Sequence, residues 1–262
     1  MKLEIISKFP TDSTHSTPLL FVHGAWHAAW CWDVHFLNYF AQHGFTALAV
    51  SLRGHGQSDG VKNLRWTRIA NYVEDLVNTA GKLPSPPVVI GHSMGGLVVQ
   101  KYLEEGFAPA AVLLASVPPA GILATTLRTA RRHPVAFAKV NLTLSMYPLV
   151  ATYQLAREAF FSENLEEEQA QAYAKRLQDE SYLGFLDMLV FNLPKPERVK
   201  TPMLILGGGR DRFFSPGEVE ATARAYKTQS EIFLDMAHDM MLEPGWQAVA
   251  ERIVSWLKER NL

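Results

Sequence analysis

The chain has 262 residues, 48% of them hydrophobic and 19% charged, the balance of a globular protein with one sizeable core or one core plus an insertion. Its 25 Lys and Arg nearly cancel 26 Asp and Glu, for a formal charge of −1, and no long basic run supplies the electrostatic footprint of a nucleic-acid binder. One cysteine, Cys31, set among aromatics in WHAAWCWDVHF, excludes an internal disulfide and a multi-cysteine metal site and reads as a buried, inert thiol.

The N-terminal MKLEIISKFP carries no apolar core followed by a small-residue cleavage site, and no run is long enough to span a bilayer, so a cytoplasmic protein without membrane association is expected. Short apolar runs follow in chain order: PLLFVH (18–23), FTALAV (45–50), PVVIGH (87–92), AVLLAS (111–116), PMLILGG (202–208) and SEIFLD (230–235). Most are continuously apolar rather than alternating, as parallel strands buried on both faces must be. Helical spacing fills the gaps. Ile69, Val73, Leu76 and Ala80 form one stripe, and Val249, Ile253, Trp256 and Leu257 another. Strand alternating with helix predicts an α/β, doubly wound, mostly parallel sheet.

The alternation stops between residues 118 and 198. Proline-rich VPPAG opens this stretch and NLPKPERVKTP closes it, with helical patterns such as EEEQAQAYAKRLQDE and SYLGFLDMLVFN inside. A helical insertion is expected there, with the core formed by residues 1–117 and 199–262. It is too long for an ordinary connection, and insertions of that length are often lids. The acidic run Glu166–Glu168 reads as a solvated helix start.

Gly91-His92-Ser93-Met94-Gly95 matches G-x-S-x-G between a strand-like run and the helix-like GGLVVQKYLEEG, the context a nucleophile elbow needs. A tight strand-to-helix turn holds the serine in a strained conformation, and a Cβ at 91 or 95 would collide with the adjoining elements. A serine is inert at neutral pH without a base, and the base needs a carboxylate to orient it. His238 follows the last strand-like run, and Asp211 follows PMLILGGGR in the corresponding place on the preceding strand. Both therefore fall at the carboxyl edge of the sheet, where ligands collect in doubly wound folds. The order Ser93, Asp211, His238 is the one expected for such an elbow.

The competing residues fit less well. Asp235 reads as part of a strand end, and Asp239 is too close to His238 to reach its far nitrogen. His92 reads as a packed neighbour, and His15, His35, His43 and His133 as surface or helix residues. Gly24, in LLFVHGAWHAAWCW, lets the chain turn with its amides exposed, so the N–H groups of Ala25 and Met94 are the candidate oxyanion donors. Trp26 is expected at the pocket entrance.

Taken in order, VHGAW, LRGHGQSDG, GHSMGG, GGGRDRFFSP and MAHDMMLEP resemble the α/β-hydrolase superfamily over nearly the whole length. The resemblance implies the α/β-hydrolase fold with a helical cap inserted after strand 6, a serine–histidine–aspartate triad, and no metal or other cofactor. It also implies that His55 and Ser58 belong to a structural turn outside the site. HGAWHAAWCW is similar to the branch of small carboxylesterases, methylesterases and hydroxynitrile lyases. The lyases carry a lysine just after the catalytic histidine, where this chain has Asp239, and dehalogenases and epoxide hydrolases carry an aspartate at the elbow, where it has Ser93.

The insertion is rich in large apolar residues, including Leu142, Met146, Tyr147, Leu149, Phe185, Met188 and Phe191. With Phe213 and Phe214 beside Asp211, they predict an apolar tunnel over Ser93, suited to a greasy acyl or aryl group. Arg131, Arg132 and His133 read as a solvated basic turn. The expected activity is hydrolysis of small to medium carboxylic esters, by a monomer or homodimer whose partner is a small-molecule ester. Carbon–carbon bond hydrolysis, hydroxynitrile lyase chemistry and hormone-receptor-like ligand binding are the other readings of the same residues.

Overall fold

Leu19–Val22 is entirely closed to solvent and has a parallel neighbour on each side, which is why that run contains no polar residue. A computed structural model describes residues 1–12 and 15–262. Its strands are β1 (Ile5–Lys8), β2 (Leu19–Val22), β3 (Ala47–Val50), β4 (Val88–His92), β5 (Ala111–Leu114), β6 (Met203–Gly208) and β7 (Ser230–Phe233). They form one sheet of order β1-β3-β2-β4-β5-β6-β7, antiparallel only between β1 and β3. Six strands match the six apolar runs. The seventh, β1, pairs Ile5 with Val50 at the sheet edge and has no sequence counterpart among those runs.

The helices begin with α1 (Trp30–Asp33), α2 (Phe36–Gln42), α3 (Ile69–Ala80) and α4 (Met94–Tyr102). Between β5 and β6 lie α5 (Leu123–Arg132), α6 (Pro134–Thr143), α7 (Tyr153–Phe160), α8 (Glu167–Ala174) and α9 (Tyr182–Leu186), and no strand. The chain ends with α10 (Pro216–Ala225) and α11 (Trp246–Lys258). Both predicted helical stripes face inward: Ile69, Leu76 and Ala80 of α3, and Val249, Ile253, Trp256 and Leu257 of α11, are buried. Glu166 stands at the N-cap position of α8 without a side-chain capping bond, and the first turn holds Glu167 and Glu168, a favourable place for carboxylates near the positive end of the helix dipole.

The helical cap expected after the family's strand 6 leaves the sheet after β5 of this chain and returns at β6. Phe21, Trp32, Phe36 and Phe40 pack ring against ring beneath the sheet, and Cys31 is buried beside them as a free thiol. Burial pushes that thiol well above its ordinary pKa, so it is not a ready nucleophile. No described helix is long and apolar enough to cross a membrane.

Candidate active site

Ser93 sits between the end of β4 and the first residue of α4 with φ 52° and ψ −118°. A side chain rarely adopts this conformation, and the surroundings enforce it. A Cβ on Gly91 would lie 2.5 Å from the Gly95 carbonyl oxygen, and one on Gly95 would lie 2.4 Å from those of both Val22 and His23. Backbone therefore packs on backbone on both sides of the serine. Its amide donates to the Leu114 carbonyl, and its own carbonyl accepts from Val117, tying the turn to the end of β5. Ser93 occupies the N-cap position of α4 yet its side chain makes no capping bond. The hydroxyl is not committed to the helix.

His238 Nδ1 donates to Asp211 Oδ2 over 2.8 Å, with both side chains essentially closed to solvent. Asp211 Oδ1 accepts from the amides of Phe213 at 2.7 Å and Phe214 at 3.1 Å, so the carboxylate is fixed from both oxygens. With its proton on Nδ1, the neutral imidazole keeps Nε2 as its basic nitrogen. His92 lies behind this pair and bonds through Nε2 to the His238 carbonyl at 3.0 Å. It is a packed neighbour, as expected. Asp235, by contrast, lies past the end of β7 rather than within it, and is an exposed residue paired with Arg210.

The turn after β2 reaches the same place. A Cβ on Gly24 would meet the Ser93 Cβ at 2.9 Å, so Ala25 follows directly beside the serine. No backbone bond among the described residues takes up the Ala25 or Met94 amide. Ala25, Trp26, Ser93, Met94, Asp211, Phe213 and Phe214 all line one cavity of about 720 Å³. The helical segment closes it with Met146, Leu149, Phe185 and Met188.

Three of the named wall residues lie elsewhere: Leu142, Phe191 and Tyr147 are 84%, 70% and 42% exposed and do not line the cavity. Trp26, expected at the entrance, is inside the wall. Its indole N–H donates to the Met146 carbonyl, its own carbonyl accepts from Gln178, and its ring stacks on Phe213.

The profile of the alpha/beta hydrolase family matches residues 19–252. The chain belongs to that family. Among curated relatives, the AB hydrolase superfamily protein YisY of Bacillus subtilis (strain 168) is 24% identical over 92% of this chain and 91% of its own. Protein phosphatase methylesterase 1 of Mus musculus is 33% identical over 35% of this chain, a match that spans only 24% of that protein's length. The solved monoacylglycerol lipase of Paleococcus ferrophilus shares the fold with a TM-score of 0.72 at 21% identity, covering 99% of this chain and all (100%) of that one.

Sequence reasoning missed two buried pairs of this chain. His27 Nδ1 donates to the Ala25 carbonyl, and its Nε2 lies 2.9 Å from Asp239 Oδ2. Burial alone would lower the His27 pKa, but the Asp239 carboxylate, together with the Ala25 carbonyl and Glu180, makes the net shift upward, while Asp239 is held below its ordinary value. The second pair joins the turn at residues 53–58 to the helical segment. His55 Nε2 meets Glu180 Oε2 at 3.0 Å, and the Tyr72 hydroxyl donates to Glu180 Oε1 at 2.6 Å. Again burial opposes the charges, and again the partner wins: His55 is raised and Glu180 lowered. His55 and Ser58 are structural as expected; Ser58 donates to the Ser51 carbonyl and accepts from the Glu4 amide.

The nearest approach to a metal-binding group among the described residues is His92, His238 and Asp239, whose ligand atoms lie within 4.8 Å of one another. One ring nitrogen of each histidine is engaged, His92 Nε2 with the His238 carbonyl and His238 Nδ1 with Asp211, and Asp239 Oδ2 lies 2.9 Å from His27 Nε2.

Proposed function

We propose that this hydrolase cleaves small to medium carboxylic esters with an apolar acyl or aryl part through a covalent acyl-enzyme. The observation that carries the reading is the buried Asp211–His238 bond of 2.8 Å, whose carboxylate residue lines the same cavity as Ser93. In this mechanism His238 Nε2 removes the Ser93 proton as Oγ attacks the ester carbonyl carbon. The carbonyl π electrons move to oxygen, and the amides of the buried residues Ala25 and Met94 hold that oxyanion. Asp211 stabilises the imidazolium and keeps its tautomer. The tetrahedral carbon then expels the alkoxide, which takes the proton from His238. Water repeats the sequence on the acyl-enzyme, releasing the acid and restoring Ser93. Residues 118–198 act as the lid that sets acyl size.

Labelling with a fluorophosphonate, followed by peptide mapping, tests the assignment. Modification at Ser93 and loss of p-nitrophenyl ester turnover in Ser93→Ala are the expected results. Labelling at another residue, or full turnover by the variant, would overturn it.

A further inference from the structure

The cavity over Ser93 is apolar in its depth and cationic at its outer end. Arg128, Arg131, Arg132 and His133 from the end of α5, and Arg212 from the loop after β6, all line it. Most of this charge is neutralised locally. Arg128 grips Glu218 through both carboxylate oxygens, at 3.2 Å and 3.0 Å, and also donates to the Phe213 carbonyl. Arg132 and His133 share Glu158 at 3.1 Å and 3.4 Å.

The other acids on the cavity wall are also committed, Asp211 to His238 and Glu180 to His55 and Tyr72. Arg131 and Arg212 remain. Both are exposed, and neither has an ion-pair partner among the described residues. A basic residue in the last turn of a helix interacts well with the dipole, which accounts for the position of Arg131. It does not account for Arg212, which comes from a different element and converges on the same cavity.

Resting on the esterase reading, we infer that the preferred ester carries a second, free carboxylate, which Arg131 and Arg212 receive at the cavity mouth while its apolar chain reaches inward to Ser93. A guanidinium is charged at every working pH and matches a carboxylate with a planar fork of donors. A fully neutral ester of the same length leaves both groups in water and gains nothing from them. The exposed position keeps the interaction modest and sensitive to salt.

The test compares methyl hydrogen adipate with methyl hexanoate, two stable esters of equal acyl length. The kcat/KM ratio should favour the carboxylate ester by about tenfold at low salt, the lower end for a charge-assisted hydrogen bond. Arg131→Gln or Arg212→Gln should each reduce that ratio, the double variant should abolish it, and added salt should compress it. Binding of the same two esters to Ser93→Ala, measured by calorimetry, tests the charge inference separately from turnover. If the wild type cleaves neither ester, the esterase reading fails, while carboxylate-selective binding that disappears in Arg131→Gln/Arg212→Gln still upholds the inference. Equal binding of both esters, undetectable binding of the carboxylate ester, or a preference untouched by the double variant would overturn it.

Discussion

His27 and Asp239 form an ion pair at 2.9 Å with neither side chain exposed, and through it the turn after β2 is tied to the loop that presents His238. Removing one partner strands a charge in the interior, which typically costs about 3–5 kcal/mol. His27→Gln and Asp239→Asn should each destabilise by roughly that amount in urea unfolding, with the double variant losing less than the two singles combined. Because His27 also holds the Ala25 carbonyl, each single variant should lower kcat more than it raises KM. Single variants as stable as wild type would show that the pair contributes nothing.

The buried histidines set the pH dependence of stability in opposite directions. Burial holds His92 neutral, with its pKa lowered to about 3, and holds His23 well below 6.5 as well. Below pH 6.5 the unfolded chain binds protons that these groups refuse in the folded state, so stability falls as pH drops. For His92 the fall is roughly 1.4 kcal/mol per pH unit, running from its ordinary value of 6.5 down to about 3. His27 and His55 are raised instead. Their contribution is complete below pH 6.5 and fades as pH climbs through their raised values. Urea titrations across pH should peak near the ordinary histidine pKa, and His92→Gln should flatten the acid limb. An unchanged acid limb in that variant would refute the assignment.

Ser93 is held at φ 52°, and a residue in such a sparsely populated region carries about 1–3 kcal/mol of strain. Ser93→Gly relieves it, against an entropic penalty of about 0.5–1 kcal/mol for glycine. Heat denaturation should therefore show an inactive variant melting about 2–4 °C above wild type, the shift about 1 kcal/mol produces in a chain of this size. A lower melting temperature would mean that the turn is unstrained.

Glu180 accepts from His55 and Tyr72 and is buried, anchoring the helical segment to the body. Glu180→Gln should loosen that segment first. Hydrogen exchange should quicken over residues 178–187 while β4 and β5 stay protected. Uniform loss of protection across the sheet would argue instead for a global role.

Much of this arrangement was legible because the constraints are local. A central parallel strand carries few polar residues, so β2 to β6 announce themselves as apolar runs, and the turn at Ser93 needs Gly91 and Gly95 whatever surrounds it. β1 was hidden because an edge strand with one exposed and three half-buried residues needs no apolar run. The His27–Asp239 and His55–Glu180 pairs join residues far apart in the chain, and no spacing rule marks their meeting. Asp239 was visible only as a rejected partner of His238 and as a departure from the lyase pattern. Its partner was not visible at all. Arg212 drew no attention beside Asp211, because its significance depends on α5 ending across the cavity.

The elbow at Ser93 and the end of β2 touch through main-chain atoms, with no room for so much as a methyl group between Gly95 and the carbonyls of Val22 and His23. The roof meets the body largely through side chains such as Trp26, His55, Glu180 and Asp187. Side-chain contacts can be exchanged one residue at a time, whereas a backbone contact cannot be edited without rebuilding the turn. The reacting centre is thus insulated from change while the roof is open to it. Substrate range in this scaffold can drift through the roof and its rim, leaving the bond-breaking geometry as it stands.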